Sequence, residues 1–238
     1  MRTLLLAAAF CSLLLWAPYD SPEASTTDHA VQAIKRGDYA LALKELRPLA
    51  ENNDPNAQFL MGMLYDAGNG VAQDHATAAA WYRKAAEQDH PIAQLFLGIL
   101  YHSGNGVDQD YRKAAHWFQA SANNGNDQAQ FYLGSMYARG TGINKDESKA
   151  IEWLTKASAQ KHTRAMGLLA TLLFSRNHTE QDLIDAYVWS HLAAEYDPVQ
   201  ATTSARGVIA NYCTEAQVKA AKKSIGEWKR KWKHLPTT

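Results

Sequence analysis

Residues 57–90 read AQFLMGMLYDAGNGVAQDHATAAAWYRKAAEQDH, two apolar stretches parted by a glycine-rich break. In the first stretch Ala57, Met61, Leu64 and Tyr65 follow the i, i+4, i+7, i+8 spacing of a helix with one apolar stripe. This predicts a helix A that stops at Gly68-Asn69-Gly70, where glycine reaches positive φ without steric cost and asparagine tolerates it. Asp74 then stands where its carboxylate can accept from the free amides that open a second helix, its charge complementing the positive end of that helix. Helix B carries Ala78, Trp81 and Ala85 on one side. Small and large residues in alternation predict an indole lying against the alanines of a neighbouring unit, which makes the tryptophan a core residue.

The same pattern continues on both sides. Alanine recurs at Ala57, Ala93, Ala129, Ala165 and Ala201, tryptophan at Trp81, Trp117, Trp153 and Trp189, and aspartate at Asp38, Asp74, Asp110, Asp146 and Asp182, every step being 36 residues. A fixed period between about 20 and 50 residues marks a stacked architecture, in which each unit buries its stripe only against its neighbours. The glycine break returns as Gly104-Asn105-Gly106 and Gly140-Thr141-Gly142. A half-matching pair comes first, with one helix over Asp28 to Arg36 and a second, capped by Gly37-Asp38, through Leu46 to Ala50. The unit from Arg164 keeps Ala165, Asp182, Ala186 and Trp189 but puts Arg176-Asn177-His178-Thr179 where the glycine turn stood, as expected where an array ends. Thr214 and Gln217 form a capping box opening a last helix whose stripe is Val218, Ala221, Ile225, Trp228 and Trp232, placed to cover the end of the stack. The expected organisation is therefore a leader at 1–24, an N-terminal capping pair at 25–55, repeats at 56–91, 92–127 and 128–163, a degenerate repeat at 164–200, and capping helices with a basic tail at 201–238.

Residues 97–125, LGILYHSGNGVDQDYRKAAHWFQASANNG, and their counterparts one unit earlier and later resemble the Sel-one-like repeat, a relative of the tetratricopeptide repeat. Glycine followed by tyrosine, GxG, aspartate, alanine and tryptophan recur together in three units, with leucine-glycine and lysine-alanine in the second and third and GxGV in the first and second. The last unit departs, with Ala170 for the glycine and Leu173 for the tyrosine. The resemblance implies an all-α, right-handed α-solenoid of antiparallel helix pairs that serves as an adaptor in protein complexes, and it implies no reaction. In tetratricopeptide relatives the ligand groove is lined by helix A. Carried over by repeat position, it falls on Phe59, Leu60 and Met63, then Leu95, Phe96, Ile99 and His102, then Phe131, Tyr132, Ser135 and Arg139. Such a groove suits an extended or helical peptide with hydrophobic side chains.

The composition fits a folded chain: 238 residues, 46% hydrophobic, with 24 basic and 24 acidic residues, a balance that gives no reason to expect nucleic acid as a partner. Arg2 ahead of the apolar run Leu4–Trp16 matches a secretory leader and is too short for the roughly 20 residues of a membrane crossing. The protein is expected to be exported, periplasmic or secreted, with no transmembrane segment in the mature chain. Cys11 would leave with the leader, so Cys213 has no partner for an intramolecular disulfide. Nine histidines do not share a repeat position except His90 and His162, expected on surface turns, so no metal or other cofactor is expected. No serine lies in a glycine elbow and the GNG turns lack the Lys-Ser/Thr of a phosphate loop, so no enzymatic activity is expected. Asn177-His178-Thr179 is a formal glycosylation sequon, relevant only in a eukaryotic secretory pathway.

One charge asymmetry stands out. Lys219, Lys222, Lys223, Lys229, Arg230, Lys231 and Lys233 face only Glu227, which leaves 17 basic (24 less 7) against 23 acidic (24 less 1) residues elsewhere. The segment is either a solvated face whose lysine stems lie over the indoles or a contact for an anionic membrane surface or nucleic acid. The function expected from all this is an exported scaffold that binds a partner protein or peptide on its concave surface, in envelope complex assembly or host interaction. The alternative is an envelope enzyme or glycan-binding protein whose site follows no motif.

Overall fold

A computed structural model describes residues 26–176, 179–197 and 203–233. The expected leader, Asn177 and His178 of the sequon, and Ala201 lie outside these residues. Among the described residues there are twelve helices and no strand: α1 Thr26–Lys35, α2 Tyr39–Glu51, α3 Pro55–Ala67, α4 His75–Ala86, α5 Pro91–Ser103, α6 Tyr111–Asn123, α7 Asp127–Arg139, α8 Glu147–Ala159, α9 Thr163–Arg176, α10 Glu180–Tyr196, α11 Thr203–Tyr212 and α12 Glu215–Trp232. The fold is an α-solenoid of antiparallel helix pairs with a period of 36. It divides into two compact units, one up to Trp117 and one from Phe118. Consecutive helices pack from α1 to α5 in the first unit and from α7 to α10 in the second, where α11 and α12 both pack on α10.

Each boundary has a local cause. Helix A opens on a side chain that accepts from the third amide of the helix: Asp54 from Ala57, His90 from Ala93, Asn126 from Ala129 and His162 from Ala165, at 2.8 to 3.1 Å. It closes on Gly68, Gly104 or Gly140 in the left-handed conformation, the glycine amide donating to the carbonyl four residues back. Asp38, Asp74, Asp110 and Asp146 then cap helix B. Asp182 is different. Thr179 caps α10, and Asp182 sits three residues inside it, its carboxylate accepting from the Thr179 amide at 3.1 Å.

The second glycine of each turn has another duty. A Cβ on Gly106 would collide with the backbone of His75 and Ala76 at the start of α4, and one on Gly70 would come within 2.7 Å of Tyr39 Cβ at the start of α2. In the first unit, then, the loop of one repeat seats on the N-terminus of the preceding helix B, and only a residue without a side chain permits that approach.

The tryptophans are not the core residues that their spacing suggested. Trp81, Trp117 and Trp153 are half-exposed, while the next residue, Tyr82, Phe118 or Leu154, is fully buried. The buried stripe of α4 is Ala78, Tyr82, Ala85 and Ala86, which leaves Trp81 at its margin. There Lys84 Nζ lies 4.2 Å from the Trp81 ring centroid, and Lys156 Nζ lies 4.0 Å from that of Trp153. The room for the following residue comes from helix A. A Cβ on Gly62 would meet the Tyr82 ring at 2.6 Å, and one on Gly134 would meet Leu154 Cγ at 2.8 Å.

A buried glutamine ties each of α3, α5 and α7 to the helix B before it. Gln58, Gln94 and Gln130 donate to the carbonyls of Ala50, Ala86 and Ala122 at 3.1 to 3.3 Å. Gln88 and Gln160 in turn donate to the side-chain oxygens of Gln58 and Gln130 at 2.8 and 2.9 Å. These carbonyls also accept from the amides of Asn53, Asp89 and Gly125, so each glutamine adds a second, inter-helix donor to a helix-end carbonyl.

At the C-terminal end α12 starts on the capping box of Thr214 and Gln217. Trp228 packs on Trp189 of α10 with ring centroids 5.0 Å apart, and Trp232 Nε1 donates to the Ala159 carbonyl of α8 at 2.9 Å.

Candidate functional site

The surface to be judged is that of the A helices, α3 and α5 in the first unit and α7 and α9 in the second. Of the groove positions carried over from the family, Phe59, Leu60, Met63, Leu95 and Phe131 are buried. Phe96, Ile99, His102, Tyr132 and Ser135 are half-exposed, and Arg139 is exposed. Five of the eleven therefore offer little surface to a ligand.

Stacking explains the burial of two of them. The Phe59 ring stacks on His90 at 4.9 Å and the Phe131 ring stacks on His162 at 4.9 Å, so the phenyl groups fill the space under the next helix A cap. The two histidines are thus half-buried caps rather than residues of surface turns. Each imidazole accepts a backbone N–H through Nδ1, which requires the neutral ring. Burial pushes His90 down to about 4, with Asp54 pulling weakly the other way. Burial also lowers His162, and Arg164, whose guanidinium lies 4.7 Å from the Phe131 centroid, adds to that while Asp127 opposes it.

Phe96 and Tyr132 have one side in the core. Phe96 lies 5.3 Å from the buried Tyr82 ring and 5.9 Å from Phe59. Tyr132 stacks on the buried Phe118 at 4.8 Å and 7°. Truncating either one would disturb packing together with any recognition. Ile99 and His102 on α5, and Ser135 and Arg139 on α7, are the groove positions whose side chains can be changed at the surface.

The sequence reading missed the polar pairs beside these positions. His75 Nδ1 and Asp66 Oδ1 are 2.7 Å apart, and Arg83 Nη2 donates to the Tyr101 hydroxyl at 2.8 Å. His102 sets its ring edge-on to Tyr111 at 5.2 Å. Asp66, His102, Ala138 and Phe174 occupy one repeat position with four different chemistries, and that scatter was the available signal. Cys213 is half-buried, its Sγ 3.9 Å from the Leu183 carbonyl, and burial pushes its thiol up, away from reactivity. Among the described residues no group of three or more His, Cys, Asp or Glu could hold a metal ion, and no helix is long and apolar enough to cross a membrane. In the basic tail Lys229 pairs with Glu195 at 2.7 Å and Lys231 Nζ lies 4.9 Å from the Trp228 ring centroid.

The Sel1 repeat model matches three successive segments, residues 55–90, 91–126 and 127–162, one residue ahead of the frames drawn from the sequence. Among solved structures the chain is similar to a Sel1 repeat protein from Oxalobacter formigenes, with 28% identity, a TM-score of 0.67, and coverage of 71% of this chain and 70% of that one. It is also similar to a protective antigen of uropathogenic Escherichia coli strains that displays an SLR fold, with 30% identity, a TM-score of 0.71, and coverage of 84% of this chain but 45% of that one. No curated protein matches the sequence.

Proposed function

The chain is a Sel1 repeat protein, and from that premise we propose that it is an exported adaptor whose A-helix surface holds a partner polypeptide in an envelope or host-contact complex. Sel1 repeat proteins generally act as scaffolds for protein–protein interaction. The observation that carries the reading to this chain is a contrast between positions. Scaffold positions repeat: Ala57, Ala93, Ala129 and Ala165, or Gln58, Gln94 and Gln130. Open A-helix positions do not: Ile99, Ser135 and Thr171 step from apolar to polar. A common frame with private outer residues is how a repeat protein acquires one partner. Export is supported by the apolar run behind Arg2 and accords with the antigen role of the similar Escherichia coli protein.

Affinity capture from the source organism's envelope and medium tests the adaptor reading. Ile99→Asp in the first unit and Arg139→Glu in the second should each release the captured partner while the helical circular dichroism and melting midpoint stay those of the parent. Undiminished capture by both variants rejects the A-helix surface. Appearance of the full chain, leader intact, in the cytoplasmic fraction rejects export.

A further inference from the structure

In the second unit α8, α9, α10 and α12 line a half-open pocket of about 460 Å³, inside the range of roughly 300 to 1,000 Å³ typical of ligand sites. Its lining is apolar at Ile151, Leu173, Val188 and Trp189 and charged at Asp185, Glu227 and Lys231. Two carboxylates against one ammonium leave the lining with a net charge of −1. Lys231 does not cancel either carboxylate. Its Nζ lies 4.9 Å from the Trp228 ring centroid, and among the described residues no ion pair joins it to Asp185 or Glu227. Asp185 is half-withdrawn from water, which pushes its carboxyl above the usual range, with Asp182 adding to the effect. Its hydrogen bond comes from the neutral amide of Gln181, at 2.8 Å.

A carboxylate held part-way out of water without a counter-ion favours a cation that can follow it there. We propose that this pocket receives the guanidinium of an arginine presented by a partner polypeptide, its alkyl stem lying on Ile151, Leu173 and Trp189. Guanidinium suits the site better than an ammonium because it sheds water more easily, pairs in a planar fork with carboxylate, and tolerates an indole wall. The proposal rests on reading the chain as a polypeptide scaffold, yet it uses only the buried Leu173 of the A helices and none of the groove positions carried over from the family.

The test is titration of the whole protein with acetyl-Gly-Arg-Gly-amide, followed by calorimetry and by the indole N–H signals of Trp189 and Trp228, against the same peptide with citrulline or glutamate for arginine. The arginine peptide should bind saturably and citrulline should bind about tenfold more weakly or worse. Asp185→Asn should cost a similar factor, with Glu227→Gln on the exposed rim as the second variant should the first fail to fold, and Lys231→Met should tighten binding. Equal affinity for citrulline, preference for the glutamate peptide, tighter binding of free arginine than of the peptide, or no saturable binding would each overturn it. Ile99→Asp reports on the adaptor reading separately: capture lost there with peptide binding kept, or the reverse, tells the two apart.

Discussion

Two regions of this molecule hold the same residue at the same repeat position and treat it differently. On α8, Trp153 lies half-exposed under Lys156, and the buried place goes to Leu154, which fits against Gly134 of α7. On α10, 36 residues later, Trp189 is only 5% exposed and Ser190 follows it. Opposite, Ala170 stands where the earlier repeats have glycine. The helix A slot and the residue that fills it change size together: glycine with Tyr82 or Leu154, alanine with Ser190. What buries Trp189 is a helix outside the repeat, α12, whose Trp228 packs on it at 5.0 Å. Position in the period sets the direction of a side chain, and whatever lies over it sets whether that side chain is core.

The contrast is sharpest under truncation. Trp189→Ala should destabilise the protein by about 3 to 5 kcal/mol through lost packing, whereas Trp153→Ala, a half-exposed ring, should cost less than about 1.5 kcal/mol; urea unfolding of the two variants compares them. Equal losses would mean that α12 does not bury Trp189 in solution. The slot itself comes next. Gly134→Ala should cost about 1 to 3 kcal/mol by overpacking against Leu154, and much of that cost should vanish in a Leu154→Ala background. Ala170→Gly has no such slot to open and should cost only about 1 kcal/mol in helix propensity.

The caps give a smaller effect with a sign. His90 is held near 4 in the fold against about 6.5 in the unfolded chain. Its neutral ring therefore stabilises fully above about 6.5, and that contribution is lost as pH falls from there towards 4, about 1 to 2 kcal/mol by pH 5. Asn126 caps the equivalent helix without titrating. His90→Asn should therefore flatten the fall in melting temperature between pH 7 and 5, while Asn126→His should steepen it. The smallest effect belongs to the surface. Lys156→Met removes a cation from the exposed face of Trp153 and should change stability by less than about 1 kcal/mol.

The repeats were legible because their causes are local and periodic. A glycine pair, an aspartate cap and an apolar stripe each leave a mark within a few residues, and 36-residue steps multiply the mark. Asp182 shows the limit of that reading. It keeps the phase, yet Thr179 takes the cap and Asp182 moves to the inside of the capping box. The groove was less legible. Helix A residues a few positions apart all look apolar, but Met63 is 2% exposed while Ile99 at the equivalent place is half-exposed. The pocket between α8, α9, α10 and α12 left no mark, because its lining comes from residues up to 80 positions apart, Ile151 to Lys231.

By itself the sequence determined the period, the alternation of two helices, their caps and turns, and the resemblance to Sel1 repeats. All of these rest on interactions between near neighbours in the chain or on their repetition. Only the tertiary structure decided that the residue after each regular tryptophan, and not the tryptophan, enters the core, that Trp189 is the exception, and which A-helix side chains stay open. Adjacent helical residues point about 100° apart, so a broad apolar stripe admits either one. The choice falls to the partner helix that supplies a glycine slot or an extra covering surface.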